Sequence, residues 1–161
     1  MAVYSVNEVI EMAVQIERNG YAFYNEAIKR SDLDEASKEL LTYLRDEELT
    51  HENTFLALRD EIDLEVLKLS IDWELIAEYL KAIVDSRIFN SESSALQLVA
   101  NSKDAREIIN NAITFEKDTL LYFHTLSDNI SDPKTHNALR KIINEEIRHI
   151  LKLNEFKKKM G

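Results

Sequence analysis

The sequence predicts an all-α protein, an antiparallel four-helix bundle, on three observations. Two glycines and one proline in 161 residues leave little material for the turns that many short strands would need. Four segments carry apolar residues at alternating spacings of three and four, the period of one helix face. The second half of the chain also repeats the first at a nearly constant offset, the mark of two like hairpins.

Taken in order, Ser5-Val6-Asn7-Glu8 reads as a capping box that opens a helix over about 5–30. Its inner face is Ile10, Val14, Glu17, Tyr21, Tyr24 and Ile28. A short turn at Ser31–Asp34 makes the next helix, about 34–60, its antiparallel neighbour. That helix presents Leu41, Leu44, Glu48, His51, Phe55 and Leu58 on one face. Residues 61 to about 101 read as a long crossover with one short helix, about 72–85, capped by Asp72 and anchored by Trp73 and Tyr79. Asn90-Ser91-Glu92-Ser93-Ser94 reads as a polar loop. A helix over about 103–130 follows, with Ile109, Ile113, Glu116, Leu120 and Phe123 inward. Asp132-Pro133 opens the last, about 133–159, by placing proline at its first position. Its face is Leu139, Ile142, Glu146, His149, Leu153 and Phe156. Residues 1–161 are thus expected to form a single domain.

A formal net charge of −10 argues against nucleic acid or an anionic membrane as partner, since both require a basic face. Lys157-Lys158-Lys159 reads as cations at a helix C-terminus. With no cysteine there is neither a thiolate metal site nor a thiol nucleophile. Neither a signal sequence nor a bilayer-spanning run is visible, so a soluble, cytoplasmic protein is expected.

The chemistry lies where acids interrupt the apolar faces. Glu48-Leu49-Thr50-His51 returns as Glu146-Ile147-Arg148-His149, 98 residues on, and Glu17 returns as Glu116 after 99. Tyr24 corresponds in the same way to Phe123. One acid on such a face could snorkel or pair with a lysine. Four converging in one core repel strongly in a low dielectric, so either several are protonated or cations neutralise them. Two divalent ions would cancel four carboxylates, with one imidazole completing the ligands of each. Oxygen donors with one nitrogen per ion suit iron or manganese best, with zinc or cobalt as substitutes. The candidate ligands are Glu17, Glu48, His51, Glu116, Glu146 and His149. Glu47 and Glu145, off the apolar faces, are expected to flank the site, and Glu52 to face away. His124 and His136 rotate off these faces. Tyr21 and Tyr24 read chiefly as packing, with Tyr24 a candidate to bond a carboxylate or relay an electron.

The stretches "AVQIERNGYAFY", "LRDEELTHENTFL", "AITFEKDTLLYF" and "INEEIRHILKL" resemble the ferritin-like di-iron carboxylate superfamily, and within it the rubrerythrin group. The resemblance implies that the six residues hold two iron ions, with Glu48 and Glu146 bridging and Glu17 and Glu116 terminal. It differs from rubrerythrins in having Ile113 and Thr119 where a further carboxylate would stand, and in lacking a four-cysteine rubredoxin-type domain. Any electrons would then come from a separate donor protein.

Three functions are compatible with this reading. One is a di-iron oxidoreductase acting on peroxide or oxygen. Another is an iron-sequestering, ferroxidase-like bundle, and the third a bundle that metal merely stabilises. The apolar pair Ile88-Phe89 and the crossover helix are read as a surface that could carry a homodimer.

Overall fold

The computed structural model describes residues 5–62 and 71–160; residues 63–70 of the expected crossover lie outside them. Six helices are present among the described residues: α1 (Val6–Ile28), α2 (Glu35–Ile62), α3 (Trp73–Asp85), α4 (Glu92–Asn101), α5 (Ala105–Asp128) and α6 (Pro133–Lys159). The all-α bundle expected from the sequence is the observed architecture, built from the hairpins α1–α2 and α5–α6.

The helix ends follow local chemistry. Ser5 accepts from the Glu8 amide at 3.1 Å while its own amide donates to the Glu8 carboxylate at 2.7 Å, closing the expected capping box. Asp34 accepts from the Ser37 amide at 2.8 Å at the start of α2. Asp132 accepts from both the amide and the hydroxyl of Thr135, at 3.0 and 2.8 Å, with Pro133 behind it. The three lysines 157–159 occupy the last turn of α6. α5 starts two residues later than expected, because Asp104 supplies the cap to Glu107 at 3.0 Å. Ser102 instead donates to the Leu98 carbonyl at 2.7 Å.

The crossover departs from expectation. It holds two helices rather than one, for the serine-rich stretch read as a loop is a helix start. Ser91 accepts from the Ser94 amide at 3.0 Å, and the Ser94 hydroxyl accepts from the Ser91 amide at 3.1 Å. The cap launches α4, which buries Ala95 and Val99. Arg30, in the α1–α2 turn, then donates to the carbonyls of Val99 and Ser102 at 2.8 and 2.7 Å, closing the far end of α4. Asp72 stands at the start of α3 but makes no side-chain capping bond. Trp73 is buried as expected, whereas Tyr79 is half exposed and is not an anchor.

α3 and α4 pack chiefly against α1 and α5, covering that side of the bundle. Phe89, between them, lies in a column of rings, 5.3 Å from Phe23 and 4.8 Å from Phe115. It is buried, and Ile88 packs partly against the same core, so Ile88-Phe89 is not the exposed surface expected of a dimer contact. Among the described residues nothing comparable covers the α2–α6 side. No helix among them is long and apolar enough to cross a membrane.

Candidate metal centre

Of the six residues picked out as candidate ligands, each lies where its helix turns inward. Glu17, Glu48, Glu116, Glu146 and His149 are wholly buried and His51 is 1% exposed. The apolar faces through Glu48 and Glu146 are buried along nearly their whole length, which is why these acids, and not their neighbours at 47 and 145, enter the core.

The side chains form two overlapping groups. Glu17, Glu48, His51 and Glu146 offer donor atoms within 4.8 Å of one another, and so do Glu48, Glu116, Glu146 and His149. Each group draws its imidazole and two acids from one hairpin and its third acid from the other, and Glu48 and Glu146 belong to both. The imidazoles stack at 5.8 Å between centroids, inclined by 19°, and each turns Nδ1 toward the acids. Nδ1 of His51 is 2.6 Å from Glu146 and 3.6 Å from Glu17. Nδ1 of His149 is 3.5 Å from Glu146 and 3.8 Å from Glu116.

Burial is the largest single influence on Glu48, Glu116 and Glu146. It holds the Glu48 and Glu116 carboxyls well above the ordinary carboxylate range; Glu17 and Glu146 add to it at Glu48, and Glu146 foremost at Glu116. Burial would raise Glu146 as well, but the neighbouring Glu116 carboxyl and the His149 and His51 imidazoles hold it well below that range. For His51 burial works against the proton, yet Glu146 and Glu17 outweigh it and push the imidazole up to about 12.

The protein itself does not satisfy this cluster. Both oxygens of Glu17, Glu48 and Glu146, one of Glu116, Nδ1 of His51 and both nitrogens of His149 lack a hydrogen-bond partner. None of the four acids pairs with a lysine or arginine among the described residues. Stripping a carboxylate of water without a partner costs several kcal/mol or more, so a native core does not collect four of them idly. The nitrogen–oxygen separations of 3.5–3.8 Å are too long for hydrogen bonds. They suit neighbouring donors around one ion, which stand about 3.0–4.2 Å apart when metal–ligand bonds are about 2.1 Å. Donor chemistry and these separations fit a pair of divalent ions, while the 2.6 Å contact of His51 with Glu146 is closer than two donors on one ion would stand.

Residues around the cluster fall into three kinds. Tyr24 donates to Glu116 at 2.7 Å across the bundle, and burial together with Glu116 raises its phenol well above the ordinary value. Tyr21 is only half-buried. Glu145 and Glu47 flank the site as expected, but they reach across the hairpins. Glu145 lies 2.6 Å from Nε2 of His51, and Glu47 lies 3.9 Å from Nε2 of His149. Glu52 turns away to Arg18 at 3.1 Å. His124 and His136 are half-buried and belong to none of the carboxylate–histidine groups found among the described residues.

Two features were not legible in the sequence. Arg87, in the turn after α3, is buried; it donates to the Thr119 hydroxyl at 2.8 Å and lies 4.7 Å over the Phe115 ring. A lone arginine between helices carries no periodic signal. Gly20 is the second. A Cβ there would stand 2.7 and 2.8 Å from Phe115 ring carbons and 3.0 Å from a Glu48 oxygen. A glycine inside a strongly periodic helix was the available clue.

No protein-family model matches the chain, and neither does any curated protein. Among solved structures, a candidate ferritin-like diiron-carboxylate protein from Thermotoga maritima superposes with a TM-score of 0.69 at 22% identity, over 100% of this chain and 99% of that one. The likeness establishes a ferritin-like fold.

Proposed function

We propose that the chain is a non-haem di-iron oxidoreductase of rubrerythrin type, reducing peroxide or oxygen with electrons from ferrous iron or a separate donor protein. The observation that carries this reading is the pair of buried groups sharing Glu48 and Glu146. Two shared carboxylates between two histidines fit two adjacent ions better than one, and the T. maritima protein of like fold is described as a diiron-carboxylate protein. Bound there, two ferrous ions would supply the two electrons that convert one peroxide and two protons into two waters.

The residues divide the work. Glu48 and Glu146 would hold both ions, Glu17 with His51 one of them, and Glu116 with His149 the other. Tyr24 fixes one oxygen of Glu116 through its hydroxyl, and Glu145 fixes the His51 ring through Nε2. The column of Phe23, Phe89 and Phe115 seals the α1–α5 side from water. Manganese, zinc or cobalt could fill the same donor set.

A second reading, iron sequestration with ferroxidase-like oxidation, draws support from the acids Glu47 and Glu145 at the half-buried edge of the site, which favour intake of cations as cargo. One preparation separates the two. Metal-free protein is loaded anaerobically with ferrous ion, peroxide is added, and ferric absorption is followed in the near ultraviolet. Two irons oxidised per chain, followed by re-reduction and repeated turnover, is the expected result. A single oxidation that then stalls favours sequestration, and failure to take up iron removes both readings.

A further inference from the structure

We infer that the α2–α6 side carries an outer divalent-cation site, formed by Glu47, Glu145 and Nε2 of His51, through which metal reaches the buried centre. This rests on the dinuclear reading above. Glu47, His51 and Glu145 bring donor atoms within 4.8 Å of one another, a third group that shares only His51 with the inner ones. The acids are one-quarter and one-fifth exposed, so this cluster meets solvent while the inner acids do not.

Glu47 and Glu145 are not a merely solvated pair of acids. The Tyr43 hydroxyl bonds Glu47 at 2.9 Å, and Glu145 lies against Nε2 of His51. A separate observation points to a ligand. Nε2 of His149, wholly buried and without a hydrogen-bond partner, is aimed at Glu47 from 3.9 Å. That gap is too wide for a hydrogen bond and suits two donors on a common ion.

Position assigns the cluster its role. α3, α4 and the phenylalanine column close the opposite side of the bundle. Each histidine also has one nitrogen on either side of the boundary, Nδ1 toward the inner acids and Nε2 toward the outer ones. An ion captured on Nε2 of His51 therefore has the inner donors immediately behind the same ring. His51 belongs to both the outer and an inner group, so the two compete for the same ring. The outer site is a staging post rather than a third permanent site.

Metal-free full-length protein and cobalt(II), whose visible absorption reports nitrogen and oxygen ligation, provide the test. Glu48→Ala, which breaks the inner pair, is expected to retain one weakly held cobalt ion per chain. Adding Glu47→Gln and Glu145→Gln to it is expected to abolish that ion. In the otherwise native chain, Glu47→Gln is expected to reach two ions but to load at least about tenfold more slowly, the lower end of what focused charge contributes to association rates. An empty Glu48→Ala chain, retention of the ion by the triple variant, or wild-type loading by Glu47→Gln would each overturn the outer site. If the wild-type chain binds no cobalt, the dinuclear reading falls with it; if it binds two while Glu48→Ala binds none, only the outer site is lost.

Discussion

In the metal-free protein Glu48 and Glu116 keep their protons well above the range in which an unfolded chain would release them, and His51 keeps its proton up to about 12. For all three the folded state binds more protons than the unfolded one. Their contribution to stability is therefore complete below the unfolded pKa and is lost as pH rises toward the folded value. Glu146 has the opposite sign, because its depressed pKa contributes stability above the ordinary carboxylate range and loses it only on acidification. Between about pH 5.5 and about pH 8.5 the first three dominate, so the melting temperature of metal-free protein should fall across that interval. Calorimetry at low salt measures it, and a flat or rising profile would contradict the protonation described here. Metal binding must expel those protons, so uptake should release acid measurably in weak buffer and weaken as pH drops.

At the level of the helices, Gly20 and Ser91 are the instructive positions. Gly20 lets α1 approach α5 where the Phe115 ring is held between Phe89 and Arg87 and cannot easily yield. Gly20→Ala should therefore cost about 1–3 kcal/mol by overpacking, although alanine is the better helix former. Urea denaturation measures it, and a stabilised variant would show that the ring moves aside. Ser91→Ala removes the N-cap of α4 and should cost about 1 kcal/mol in the same assay. The sequence exposed four helices because each buries a long face whose period survives the interruption by Glu or Glu and His. α4 escaped because it is ten residues long and buries little beyond Ala95 and Val99. Its cap also uses serine where glutamate would have completed a familiar pattern. Arg87 and the cross-hairpin reach of Glu47 and Glu145 were hidden for another reason. They depend on how two hairpins dock, which no single helix encodes.

Across the whole molecule, the six candidate ligands were legible because an internal repeat placed them twice, and the structure gathers both sets. Loading the centre should raise the melting temperature in proportion to metal excess, since ions that bind only the folded chain stabilise it by mass action. Thermal shifts across a titration would show this, and no shift would mean that the acids are tolerated for some other reason. The repeat is nevertheless imperfect at one point. Tyr24 tethers Glu116, whereas its counterpart Phe123 packs on Phe55 and has no hydroxyl to offer Glu17. The two halves of the centre are thus chemically unlike, one terminal acid leashed and the other at liberty. A titration should accordingly resolve into two steps, leaving an interval in which chains carry a lone ion, and Tyr24→Phe should merge the steps by restoring the lost symmetry.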